Sequence, residues 1–151
     1  MWGKGMLEKF KFHTDVEVRW AEVDTMGIVF NSHYLTYIDI AVSDYFRKGL
    51  EIDILDTTEK DTFTFVLAKS TLEFKQPAKL FDRLQVWCRT RAMRNKSFIL
   101  EFVIVKEGET SPLLQAEVVY VSYSKEKNGS VPIPDFVRER IKKFEGEHVE
   151  G

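Results

Sequence analysis

Between residues 23 and 34 the chain reads VDTMGIVFNSHY, and three of these residues have types and spacing suited to acyl transfer. Asp24 offers a carboxylate, Gly27 follows three positions later, and a helix-forming run begins near Asn31. The first N–H groups of a helix lack intrahelical partners and stand at the positive end of its dipole, so they can hold an oxyanion or polarise a carbonyl. A carboxylate on the preceding loop supplies the other half of such a site, as general base or nucleophile, and the helix end favours its ionised form. Gly27, with no side chain, lets backbone amides come close to a ligand. The same residues also fit a plainer role, Asp24 as a cap or turn former and Gly27 as a turn glycine.

Positioning these residues takes a loop held between a strand and a helix. HTDVEVRWAEVD, residues 13–24, sets Val16, Val18 and Trp20 at alternate positions, the period of a half-buried strand that ends near Asp24. In NSHYLTYIDIAVSDYFRKG, residues 31–49, Tyr34, Ile38, Ala41 and Tyr45 recur at helical spacing, and Leu35, Val42 and Phe46 widen the stripe. Asn31 or Ser32 is placed to cap this helix, Arg47 and Lys48 suit its negative end, and Gly49 suits a left-handed stop. Residues 51–62 are polar and predict a surface connection with a short turn of helix.

Four runs rich in β-branched and aromatic residues follow: FTFVLAKSTLEFKQ, RLQVWCRTRAMR, KSFILEFVIVKE and LLQAEVVYVSYSK. Separated by QPAKLFD, RNK and GETSP, they predict an antiparallel meander. PDFVRERIKKFEG sets Val137, Ile141 and Phe144 on one side behind Pro134, a short closing helix. One strand, one long helix and four longer strands make an α+β protein, a single domain over residues 1–151. The expected architecture is a curved antiparallel five-stranded sheet wrapped around the long helix. A free sheet edge invites a second copy, so a homodimer at minimum is expected.

Composition narrows the function classes. The 22 basic and 24 acidic side chains are spread along the chain, so no overall charge marks a nucleic-acid or membrane binder. No apolar run approaches the roughly 20 residues that span a bilayer, and MWGKGMLEKF lacks the apolar core of a signal peptide. The single cysteine, Cys88, makes no internal disulfide, which together with these features predicts a cytoplasmic protein. His13, His33 and His148 have no ligand spacing, so no metal is implied, and neither Ser43 nor Ser97 sits in a nucleophile elbow.

RWAEVDTMGIVFNSHYLTYID, residues 19–39, resembles the signature of hotdog-fold acyl-CoA thioesterases of the 4-hydroxybenzoyl-CoA thioesterase and YbgC-like group: an aromatic, an acidic residue, then x-D-x-x-G-[IV]-V-[FYW]-x-x-x-Y. Strand order and length agree with that family over residues 13–125. The resemblance implies the hotdog fold and thioester hydrolysis, with Asp24 as the catalytic acidic residue and the backbone amide of Asn31 on the thioester carbonyl. One position departs from the pattern: Asn31 stands where many members carry His, and His33 takes the place of a later Asn. A backbone amide is indifferent to that change. His33 is then a structural or pocket-lining residue, and Asp39 and Asp44, also on the helix, are solvated or capping charges.

An acyl-CoA brings a nucleotide with a 3′-phosphate and a pyrophosphate, which Arg and Lys bind well. The corner RTRAMRNKSF gathers Arg89, Arg91, Arg94 and Lys96, and the resembling enzymes set a basic hairpin of this kind against CoA. Arg94 and Lys96 are the candidates; Arg89 and Arg91 point together off the face opposite Leu84, Val86 and Cys88. Phe30, Tyr34, Tyr37 and Phe65 are candidates to line an acyl pocket, unless they serve as core. The expectation is an acyl-CoA thioesterase, dimer or tetramer, with no cofactor because CoA belongs to the substrate. The alternative is a non-catalytic acyl-thioester sensing module on the same fold, which would not need Asp24. A hotdog dehydratase would need its own acid–base set, and no His-containing motif supplies one.

Overall fold

The structure, a computed structural model, describes residues 7–151. Strand β1 (Phe12–Glu17) leads through one 3-10 turn (Trp20–Glu22) and a tight loop into helix α1 (His33–Asp44), whose last turn widens into a π-turn (Tyr45–Gly49). The short helix α2 (Ile54–Glu59) is capped by Asp53, whose Oδ1 accepts the Asp56 N–H at 3.1 Å. Then come β2 (Thr64–Phe74), β3 (Arg83–Met93), β4 (Ser97–Lys106), β5 (Pro112–Ser124), the two-residue β6 (Gly129–Ser130) and helix α3 (Asp135–Glu145).

The main strands lie in the order β1-β3-β4-β5-β2, every pairing antiparallel, with β6 added beside β5. Alternation along β3, β4 and β5 sends Leu84, Val86, Cys88, Leu100, Phe102, Ile104, Leu114, Ala116 and Val118 into one cluster. The α1 stripe of Tyr34, Tyr37, Ile38, Ala41 and Val42 fills the same cluster, as expected of a helix held in a curved sheet. Burial of each such side chain contributes about 1.5–3 kcal/mol, so this helix–sheet contact dominates the fold. Helix α3 adds Val137 and Ile141, with Phe144 partly buried beside them.

Four local expectations need correction. Trp20 is not an inward strand residue: the strand stops at Glu17, the chain turns at Trp20–Glu22, and the indole is 78% exposed. The four later strands are not a simple meander, because β2 pairs with β5 at the far edge while β1 takes the place beside β3. Neither Asn31 nor Ser32 caps α1 with its side chain; a backbone turn does it, the His33 N–H donating to Phe30 O at 2.9 Å. Gly49 ends a π-turn without a left-handed φ, and its missing side chain faces Phe12, Phe144 and Tyr45 instead.

The crossover from β2 to β3, residues 75–82, follows from that strand order. It passes the front of α1, where the Ala78 N–H donates to the Tyr34 hydroxyl at 3.0 Å and Ala78 O accepts the Val29 N–H at 2.9 Å. A bridge between Ile28 and Lys79 and a bond from the Leu80 N–H to Gly27 O at 3.0 Å extend the seam. The segment between β1 and α1 is therefore laced to the crossover along its length.

Candidate active site

Residues 22–30 form a small two-armed ribbon. Val23 bridges Val29, the Phe30 N–H donates to Glu22 O at 2.9 Å, and the Asp24 N–H donates to Ile28 O at 2.9 Å. At its tip the Gly27 N–H donates to Asp24 O at 3.0 Å, and Gly27 has φ +77. A Cβ there would meet no atom within 4 Å, so glycine is required by the backbone turn and not by crowding.

Asp24 is exposed and does two things. Its Oδ1 accepts the Met26 N–H at 2.8 Å, the turn-forming role of the plainer reading. Its second oxygen makes no hydrogen bond among the described residues and faces solvent from the loop. Asn31 lies on the other arm, just before α1, and its N–H likewise has no acceptor among the described residues. By ribbon spacing the two backbones stand roughly 10 Å apart, a gap that a carbonyl group bonded to the amide and approached by the carboxylate can fill.

Sequence reasoning gave no role to Glu22, the acidic residue two positions before Asp24. Its carboxylate is 3% exposed and fully engaged: Oε1 accepts the Tyr37 hydroxyl at 2.8 Å and the Arg19 N–H at 2.8 Å, and Oε2 accepts the Arg19 guanidinium at 2.6 Å. Burial alone would raise its pKa, but the bonds from Arg19 and Tyr37 prevail and hold the carboxyl below its ordinary range. The Tyr37 phenol is pushed well up, first by burial and then by Glu22. Its signal in sequence was an acid between apolar residues, which elsewhere marks a solvated charge.

The aromatic candidates divide. Tyr34 and Tyr37 are buried and bonded to the crossover and to Glu22, and Tyr34 also borders a small cavity. Phe30 is 57% exposed beside the half-buried ring of His33, their centroids 6.5 Å apart, at the mouth of the ribbon. Phe65 stacks on Phe46 at 5.0 Å and lines a cavity of about 550 Å³ under the C-terminal half of α1. A smaller cavity of about 150 Å³ lies beside Asn31, between Tyr34 and Phe74.

Arg94 and Lys96 are exposed at the β3–β4 hairpin, with no ion pair among the described residues. Arg138 braces that hairpin by donating to the carbonyls of Arg94 and Asn95, a third cation that sequence reasoning overlooked. Arg89 and Arg91 do leave the core face, but both are engaged: Arg89 with Glu101 at 2.9 Å and the His148 carbonyl, Arg91 with Glu117 and Glu150, each at 3.0 Å. On α1, Asp44 is held by the Thr14 hydroxyl at 2.6 Å and by Arg47 at 3.0 Å, whereas Asp39 borders the large cavity.

The structure does not bring the basic hairpin and Asp24 together within one chain. The Asp24 ribbon is tied to the start of β3, where the Val18 N–H donates to Asp82 O at 2.9 Å, and the hairpin lies at the other end of that eleven-residue strand. The two are on the order of 30 Å apart. Among the described residues no group of three or more His, Cys, Asp or Glu side chains is arranged to hold a metal, and no helix is long and apolar enough to cross a membrane.

A family model described as the thioesterase-like superfamily matches residues 18–141. Over 132 residues the chain is 25% identical to the long-chain acyl-CoA thioesterase FadM of Escherichia coli (strain K12), covering 87% of this chain and 97% of FadM. Over 110 residues it is 28% identical to the acyl-CoA thioester hydrolase YbgC of Escherichia coli O6:H1, covering 73% of this chain and 80% of YbgC. A thioesterase from Thermus thermophilus, solved with coenzyme A and Zn, superposes with a TM-score of 0.79 at 27% identity, covering 93% of this chain and 98% of that one. With its hotdog sheet, its Asp24 ribbon ahead of α1 and a family match running from Val18 to Ile141, the chain belongs to the thioesterase-like superfamily.

Proposed function

We propose that this protein hydrolyses acyl-CoA thioesters to a free acid and CoA, as one domain over the whole chain. The carrying observation is the pair of unengaged groups on the two arms of one ribbon, the second oxygen of Asp24 and the N–H of Asn31. The thioester carbonyl accepts the Asn31 N–H, whose donor strength is raised by the start of α1, so negative charge developing on oxygen is stabilised. Asp24 then either takes a proton from the attacking water or attacks the acyl carbon itself, giving an anhydride that water opens. Gly27 supplies the turn that aims Asp24. The relatives' names, FadM and YbgC above all, support the substrate class.

The nucleotide is held by a second copy of the chain. Strand β2 is an eleven-residue edge with Val66 45% and Leu67 58% exposed, an open template for pairing. Its Thr64 end lies at the basic-hairpin end of the sheet, because Thr64 pairs with Tyr123 and Ser97 with Val121; its Phe74 end lies beside Tyr34 at the front of α1. Antiparallel pairing of two β2 edges about a two-fold axis sets each hairpin toward the partner's Asp24 ribbon. Arg94 and Lys96 of one protomer thus grip the CoA whose thioester lies against Asp24 of the other. The working unit is a dimer or a dimer of dimers, without a resident cofactor, in the cytoplasm; the buried thiol of Cys88 fits a reducing compartment.

A free-thiol assay over a panel of acyl-CoAs tests this reading. Release of CoA that depends on Asp24 is the expected result. Tight binding of every ester with release from none would make the protein a sensing module instead.

A further inference from the structure

Between the C-terminal half of α1 and the β2–β5 side of the sheet lies the cavity of about 550 Å³. Val42, Phe46, Ile52, Leu55 and Phe65 form its apolar wall. Asp39, Ser43 and Tyr120 interrupt that wall with a carboxylate, a hydroxyl and a phenol, and none of these makes a hydrogen bond or ion pair among the described residues. The other polar neighbours are already engaged, Arg47 by Asp44 at 3.0 Å and Asp53 by the Asp56 N–H at 3.1 Å.

Asp39 and Ser43 are four residues apart and share one helix face. Partial burial over the cavity lifts the Asp39 carboxyl above its ordinary range, and the Tyr120 phenol is raised by burial and then by the Asp39 charge. Tyr120 is 7% exposed and its phenol has no hydrogen-bond partner among the described residues against the apolar wall, whereas Asp39 and Ser43 stand at the exposed rim of the cavity. The set here is an acceptor beside groups that can donate, which matches a hydroxyl: its proton goes to Asp39 and its oxygen accepts from Tyr120 or Ser43. A second carboxylate would be repelled by Asp39, whereas a neutral hydroxyl brings no further charge to the apolar wall.

Position sets where on the ligand that hydroxyl belongs. Asp39 lies eight residues beyond Asn31, about 12 Å along the helix axis, and the apolar wall continues about two turns further, past Phe46. We infer that the acyl group taken by this protein is an aliphatic chain with a hydroxyl near its middle. Its thioester meets the Asn31 amide, its hydroxyl sits among Asp39, Ser43 and Tyr120, and its apolar tail fills the cavity beyond. This inference rests on the acyl-CoA reading proposed above.

Ricinoleoyl-CoA and oleoyl-CoA differ by one mid-chain hydroxyl and test it directly. At submicellar concentration the wild-type kcat/KM for the ricinoleoyl ester should exceed that for the oleoyl ester by about tenfold or more. Asp39→Leu should bring the ratio to about one by losing the hydroxylated ester and gaining the plain one, and Tyr120→Phe should lower it in part. A wild-type ratio near one, or a ratio that Asp39→Leu leaves unchanged, overturns the inference. The same preference should appear in Kd by calorimetry on the Asp24→Asn protein, a readout that needs no turnover. Hydrolysis of neither ester with that Kd preference intact would sink the thioesterase reading alone; equal Kd values would sink this one.

Discussion

The Tyr37 hydroxyl donates to Glu22 Oε1 at 2.8 Å, joining the second turn of α1 to the first residue of the ribbon that bears Asp24. Both groups are buried, and the bond ties the helix to the arm that carries Asp24. It adds a tie to α1 to the backbone bonds, Asp24 N–H to Ile28 O and Phe30 N–H to Glu22 O, that hold the two arms of the ribbon together.

Tyr37→Phe should therefore lower kcat by about tenfold while KM changes little, since removing one buried partner leaves Glu22 short of a donor and loosens the ribbon. The expected loss of stability is about 1–3 kcal/mol, measurable by denaturant unfolding. A variant equally destabilised with unchanged kcat would make this bond structural only.

The lowered pKa of Glu22 gives a pH window with a definite sign. Its ionised form is favoured by folding, so its stabilisation is complete above the ordinary Glu value of 4.5 and is lost as pH falls below that toward the folded value. The unfolding midpoint of wild type should fall over that acidic range. Glu22→Gln should flatten that part of the curve.

Asp24→Asn should lower kcat by about a hundredfold or more, the scale for loss of a positioned base or nucleophile. Its stability should hardly move, because the amide oxygen can still accept the Met26 N–H that Asp24 Oδ1 accepts at 2.8 Å. Near-normal kcat would return Asp24 to a turn former.

Replacing Arg94 and Lys96 together by Ala should raise KM for acyl-CoA with kcat little changed, an effect that shrinks at high salt. If hairpin and ribbon come from different protomers, as proposed, mixing this variant, inactive at low substrate, with Asp24→Asn should regenerate intact sites. Random reassortment restores about a quarter of wild-type activity in a two-fold dimer. No recovery after mixing by denaturation and refolding would place both groups in one chain, or show that subunits do not pair through this site.

Val66→Lys with Leu67→Lys should block the β2 edge, give a monomer by light scattering and abolish hydrolysis while circular dichroism stays native. A concentration-independent monomer that still releases CoA would end the shared-site reading.

Helix α1, helix α3 and strands β3 to β5 were legible because their patterns are local: a 3.6-residue stripe from Tyr34 to Tyr45, and alternation around Leu84, Phe102 and Ala116. The place of β2 was not, since pairing Thr64 with Tyr123 is a long-range choice that no window of sequence contains. Trp20 was misread because alternation ran on past Val18, where Glu22 gathers Arg19 and turns the chain. At the site, Asp24, Gly27 and Asn31 were readable as a motif. Glu22 was hidden because its burial depends on Tyr37, fifteen residues away, and the separation of Arg94 from Asp24 is a property of the folded sheet.

The far-edge position of β2 also sets an order of events in the life of the chain. β2 has no partner until β5 exists, and the residues it pairs with lie roughly forty to sixty positions downstream, so its docking waits for the synthesis of β5. Until then it is an unpaired apolar strand on a nascent chain, open to association with any neighbour. Once docked, one edge is occupied and only the outer one remains. Folding must come before assembly, and a slowed β5 would be felt first as aggregation and only afterwards as lost activity.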